Sequence, residues 1–269
     1  MKTILFALSS VSLTSLAFGA ISSVPSVYSA FDGGSGAPGT INGAPGSVAG
    51  VVGDAGSFGR NDDDFVDYGN TGGAGTGSLS VSMWISANQA TGGAYFPVGK
   101  GNRSSGAVGW SFFLENDVII ARAAYDGGGG DLRLGANHPF SVGTEFAHVG
   151  LVIDNDAGTF TAYYNGESSG ASGNENGWTL GGGGGQTNTF TPGQDFTAPE
   201  NLLVGRRSTT GASFDGAMDE FAVWNSALSG AEMNELYQLG ASGQAIPEPT
   251  SALLLGFGIL LGLARRRSS

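Results

Sequence analysis

Three kinds of residue in this chain have the chemistry to act on a ligand, and carboxylates come first. Asp62-Asp63-Asp64 with Asp67 sets four acids within a short span. Such a group repels itself unless a cation bridges it, although acidic runs in loops are ordinarily solvated. No Asp-x-Asp-x-Asp-Gly loop closed by a glutamate at its twelfth position occurs, so an EF-hand is excluded. Glu115-Asn116-Asp117 opens the Glu-x-Asp-x-Glu spacing that would flank a glycosidic bond with two carboxylates. Ile119 and Ile120 stand where the closing acid would have to be. The second kind is histidine. His138 precedes a proline, His148 lies in a strand-like run, and no His-Glu-x-x-His exists to suggest zinc. The absence of cysteine removes thiol catalysis and Cys-based metal sites. The third kind is aromatic. Trp178, Trp110, Tyr125 and Tyr95 sit beside Gly-rich stretches, where loop-borne rings would be open to stacking on a sugar face. Trp178, among Asn174, Glu175 and Asn176, has the richest supply of hydroxyl-fixing neighbours.

Those residues need elements to hold them. Ser78 to Ile85 alternates polar and apolar residues, with Leu79, Val81, Met83 and Ile85 on the core side and Trp84 on the other. Further strands are expected at Val27–Phe31, Tyr95–Val98, Trp110–Leu114, Val118–Ala124, Ala147–Ile153, Thr159–Tyr164, Leu202–Val204 and Met218–Trp224. Asp154 to Gly158 reads as a hairpin turn, and Asn165-Gly166 is a favoured type I′ pair. Residues 33 to 57 read as a long loop with little structure of its own, and Gly181 to Gly185 as a loop tip. A capping box, Ser229-x-x-Glu232, opens one helix that is expected to end at Gly240. Gly 49 in 269 residues, without a collagen period, fits many short strands joined by Gly-rich turns. A formal net charge of −12 repels nucleic acid and favours divalent cations.

Both ends read as addresses. Met1-Lys2, an apolar stretch to Leu16, and Ala17-Phe18-Gly19 form a signal-peptide pattern with a cut after Gly19. At the other end, Pro247-Glu248-Pro249 precedes the apolar run Ser251 to Ala264 and the cluster Arg265-Arg266-Arg267. As a helix that run would span only about 21 Å of a ~30 Å hydrocarbon core, which suits a transient anchor. The three features, in that order, resemble the PEP-CTERM sorting tail. The resemblance implies an exosortase-type protease as partner and export to the cell surface or beyond. The chain then divides into residues 1–19 (signal peptide), 20–246 (one domain) and 247–269 (sorting tail).

The body is similar to the LamG-like jelly-roll family, a concanavalin A-like sandwich. The resemblance is carried by Ser57-Phe58, Phe65-Val66, Leu79 to Ile85, Phe146 to Val149 running into Ile153-Asp154, and Phe160 to Gly166. Leu203-Val204-Gly205 follows, then Phe214 to Phe221, Trp224-Asn225 and Ala227 to Glu232. Ala147 between Phe146 and His148, and the glycines at 181 to 185, depart from the family pattern. The resemblance implies an all-β, two-sheet antiparallel jelly-roll sandwich with one short C-terminal helix. It also places Asp219 where related sandwiches hold a structural calcium ion, a hard cation that wants oxygen ligands. The reading is an exported, non-enzymatic binding or adhesion protein for a carbohydrate or protein ligand, with Trp178, Trp110 and Tyr125 as ligand contacts. A surface-layer component without a specific ligand is the competing reading, and a glycan-cleaving enzyme the third.

Overall fold

The computed structural model describes residues 21, 23–34, 38–60, 63–88, 93–101, 107–115, 118–126, 130–137, 145–167, 173–175, 178–180, 186–207 and 213–247. Both terminal addresses, apart from Pro247 itself, and also Asp62, Asp117, His138 and the glycines 181–185, lie outside them.

Short strands joined by turns account for nearly all of the described chain. In order they are β1 (Val27–Ser29), β2 (Thr40–Asn42), β3 (Gly46–Ala49), β4 (Asp54–Phe58), β5 (Phe65–Asp67) and β6 (Leu79–Ala87). Next come β7 (Tyr95–Gly101), β8 (Gly109–Glu115), β9 (Val118–Tyr125), β10 (Gly130–Asn137), β11 (Ala147–Asp154) and β12 (Thr159–Tyr164). β13 (Gly173–Glu175), β14 (Trp178–Leu180), β15 (Gln186–Thr189), β16 (Leu202–Val204) and β17 (Gly216–Trp224) complete the strands, and α1 (Gly230–Ala241) follows. One sheet runs β15-β12-β11-β6-β17-β4-β3, with β1 also on β17; the other runs β10-β9-β8-β7-β16-β5-β2. Every pairing between these described strands is antiparallel. This is the two-sheet sandwich with one short helix that the sequence predicts.

Alternation explains the layers. Leu79, Val81, Met83 and Ile85 enter the core between the sheets with Phe58, Phe112, Leu151 and Phe221. The opposite face of the same sheet is closed by α1. Its Met233 and Leu236 join Val152, Ala222, Trp224 and Ile246 in a second apolar cluster. The helix comes close because glycines leave room: a Cβ on Gly150 would lie 3.0 Å from the Met233 sulfur, and one on Gly240 would strike the Trp84 indole. Gly240 therefore lies inside the helix, which runs on to a Ser242 cap instead of stopping there as expected.

Residues 40–57 also correct the sequence reading. They form β2 and β3 at the edges of the two sheets and β4 just inside β3, held by main-chain pairing that a Gly/Ala/Pro/Ser composition does not advertise. β17 is the hinge of this edge. Its first half pairs with β4 and its second half with β1, and between them the register shifts at Asp219/Ala222. Glu220, at φ 48°, takes up the bulge. Both ends of the body are stitched to this strand: the Trp224 indole donates to the Ser23 carbonyl (3.1 Å), and the Ile246 N–H donates to the Glu220 carboxylate (2.8 Å).

Candidate functional site

A groove of about 530 Å³ opens at one end of the sandwich. Its main wall is the loop Asn70 to Ser78 between β5 and β6, faced by Thr197 and Ala198 ahead of β16. Ser26 and Asn225 close one end, and Lys100 of β7 lies at the base. The loop is rich in glycine because it turns repeatedly; Gly69, Gly72 and Gly75 all have positive φ.

Buried polar groups fix this wall. The Trp110 indole donates to the Gly72 carbonyl (2.7 Å), and the Phe196 N–H donates to the Gly75 carbonyl (2.8 Å). Asn155, 1% exposed, is the main clamp. Its amide donates to the Thr76 and Gln194 carbonyls (2.9 and 2.8 Å), while its oxygen accepts from the Gly193 and Gln194 N–H groups (both 3.0 Å). Lys100 ties the two sides together: its ammonium donates to Asn70 Oδ1 (2.6 Å) and to the Glu200 carbonyl (2.9 Å). Burial lowers its pKa from the ordinary value, and the charge of Glu200 opposes that shift. The result is a preformed cleft lined by hydroxyls, amides and main-chain groups.

The sequence-predicted residues fall elsewhere. Trp110 is 1% exposed, so it supports the groove from behind and offers no ring for stacking. Tyr125 is half-buried, packed against Phe190 and edge-on to Phe196 at 5.6 Å. Tyr95 is buried too. Trp178 begins the second strand of the small β13–β14 hairpin, which pairs with neither large sheet but lies beside β10, and its side chain lies outside the described residues. The acidic cluster is dispersed. Asp63 pairs with Arg206 (3.2 Å), buried Asp64 accepts from the Ala44 N–H (2.7 Å), and Asp67 accepts from Gly69 N–H (2.7 Å) and Asn201.

Asp219 does not fit a calcium ion. Its Oδ2 accepts from the Val51 and Val52 N–H groups (2.7 and 2.9 Å) and its Oδ1 from the Glu220 N–H (2.8 Å). Both oxygens are taken up by backbone donors, so a cation there would meet the positive ends of those N–H dipoles, although the charges of Asp32 and Glu220 also reach this carboxylate. The carboxylate orders the β3–β4 turn. Among the described residues no group of three or more acidic or histidine side chains is placed to hold a metal. Burial pushes Asp219 up to about 6 and Glu220 up to about 7, against the backbone hydrogen bonds that each receives.

His148 is fully buried on the outer face of β11 beneath α1. It shares a 2.9 Å hydrogen bond between its Nε2 and the Ser82 hydroxyl, and it lies against Trp84 and Tyr237. Burial drives its pKa down to about 3, and Nδ1 has no partner. A Ser–His pair with no carboxylate behind it and no opening above it is packing. A Gly-x-Ser-x-Gly spacing also occurs at Gly166 to Gly170, but Gly166 belongs to the turn after β12. A nucleophile elbow needs strand, turn and helix.

With this geometry in view, residues 60–234, well over half of the chain, match the laminin G-like profile described as the concanavalin A-like lectin/glucanases superfamily. The chain belongs to that superfamily. Residues 245–268 match the PEP-CTERM protein-sorting motif, which marks this lectin/glucanase-type domain for export on a membrane-anchoring signal. Its fold is also that of the binding domain of Paraclostridial Mosquitocidal Protein 1, with a TM-score of 0.53 at 15% identity over 75% of this chain and 48% of that one. The receptor-binding domain of botulinum neurotoxin type G gives 0.54 at 11% identity, over 81% and 51%. The chain thus spans about half the length of these structures, and at such identities the likeness is one of fold. No curated protein matches the chain.

The groove itself was missed by sequence reasoning. Its lining is largely glycine and small polar residues, and Lys100 sits in an apolar strand where it reads as an ordinary surface lysine. The available signal was the run Gly69 to Gly77 immediately before the strongest strand.

Proposed function

We propose that this protein is an exported, non-enzymatic carbohydrate-binding protein whose ligand lies in the groove beside Lys100. The observation that carries the reading is the lining: Asn70, Thr71, Thr197, Asn225 and glycine main chain offer many hydrogen-bonding groups in a cleft already held open. Binding is favoured over cleavage because the described lining contains no carboxylate side chain, whereas glycoside hydrolysis uses two. Trp178 remains a second contact in this proposal, through the small hairpin that carries it. The sorting motif supports a tail cut by an exosortase-type protease and a surface or extracellular destination.

The test is binding of the full chain to immobilised neutral polysaccharides: glucan, mannan and galactan. Asn70→Ala and Asn225→Ala together should weaken retention about tenfold or more, as expected when a built polar site loses direct hydrogen bonds. Retention of none of the three, or retention indifferent to both substitutions, sinks the reading.

A further inference from the structure

Lys100 is unusual among the groups that line the groove. It is 2% exposed, yet both of its hydrogen-bond partners are neutral oxygens. Among the described residues no carboxylate stands at ion-pair distance from it. The Glu200 charge offsets part of its burial without forming an ion pair, and a buried cation whose direct acceptors are all neutral is costly to a fold. An ammonium also carries three donors, and two are used here. The loop passes close over it: a Cβ on Gly73 would lie 2.9 Å from Lys100 Cε.

Building on the carbohydrate reading, we propose that the groove selects a carboxylate-bearing sugar, a uronic acid residue, with Lys100 as its anion contact. A hydroxyl-rich ligand suits Asn70, Thr71, Thr197 and Asn225, while Ala74 and Ala198 are the apolar side chains of the lining. The charge of the ligand is bounded from both sides. One cation faces the groove, and the chain as a whole carries −12, so dense polyanions are repelled while a single carboxylate is accepted. Lysine acts here as a point charge, which places few demands on the angle of approach.

The experiment uses the full chain and three matched pairs: glucan, mannan and galactan, each beside a sample sparsely oxidised at C6 to the uronate. The readout is the ratio of the two affinities within a pair, which does not depend on how well the groove as a whole survives a substitution. For the wild-type chain at least one pair should favour the oxidised member about tenfold, the size of one charge-assisted hydrogen bond. Lys100→Met should bring that ratio to about one. Asn70→Asp is the stricter variant, because it sets a carboxylate against the ammonium without removing the cross-link, and it too should abolish the preference. Binding to neutral members with a wild-type ratio of one overturns this inference and leaves the carbohydrate reading standing. A preference that survives both substitutions shows that another group reads the charge and overturns the role of Lys100. No binding to either member of any pair overturns both readings.

Discussion

Glu220 occupies a left-handed backbone conformation, φ 48°, which costs a residue with a side chain on the order of 1 kcal/mol or more. The bulge is maintained by what its carboxylate collects: the Tyr28 hydroxyl (2.9 Å) and the Ile246 N–H (2.8 Å). Burial nevertheless raises its pKa to about 7, with neighbouring Asp219 and Asp32 adding to the shift. A carboxyl that holds its proton more tightly folded than unfolded contributes stability below its ordinary value of 4.5. That contribution is lost as pH rises through about 7. His148 works in the other sense, losing stability as pH falls from 6.5 towards 3. Comparing Glu220→Gln with the wild type isolates the acid. Thermal melts should coincide near pH 4 and separate by several degrees in favour of the variant at pH 8. Curves that stay parallel across that range would show that Glu220 is not the titrating group. Asp219 gives a second residue-scale prediction. Asp219→Asn turns an amide N–H toward at least one of three backbone donors and should cost about 1.5–3 kcal/mol. A chelator should leave the wild-type melting temperature unchanged; a drop would restore a structural calcium ion. That Asp219 matters was legible in the sequence, but its partners Val51 and Val52 were not, because nothing local links residues so far apart in the chain.

At the scale of elements, the helix shows where local signals suffice and where they fail. Its start was readable: the Ser229 hydroxyl and Glu232 complete the capping box as spelled out. Its end was not, since Gly240 looks like a terminator and is a spacer that lets the helix settle on Trp84. Gly240→Ala makes the distinction measurable. Helix propensity alone would favour alanine by about 1 kcal/mol. The clash with the indole should reverse that sign and destabilise the domain by about 1–3 kcal/mol in denaturant unfolding. A stabilised variant would mean that the helix sits farther from β6 than described. Strands with two-residue alternation were visible, as was the turn at Asn165-Gly166, whose φ values of 47° and 77° are those of the expected type. β2 and β3 were hidden because exposed edge strands of small residues carry hardly any alternation, and β4, though paired on both sides, because it is built mostly of small residues.

At the scale of the whole molecule, sandwich and sorting motif belong to one logic. An exported domain without cysteine relies on its core, and among the described residues thirty buried between the sheets supply it. Function was the least legible level, because the groove emerges only when five separate parts of the chain meet. The intact mass of the cell-derived protein tests the outer segments: it should lack residues 1–19 and most of residues 250–269. A mass retaining the C-terminal run would show that the tail is a permanent anchor.

One consequence follows from how the body ends. Ile246 is stitched to Glu220 and buried, and Pro247 opens the sorting motif directly after it. From Ile246 to Ser251, where the apolar run begins, even a fully extended chain reaches only about 18 Å. With the tail embedded as proposed, the body would be on a short leash, and its groove could sweep only a thin shell above the bilayer. On the proposed reading, cutting the tail would do more than free the protein. It would change which ligands the groove can reach, from those at the membrane to those in the open space beyond it.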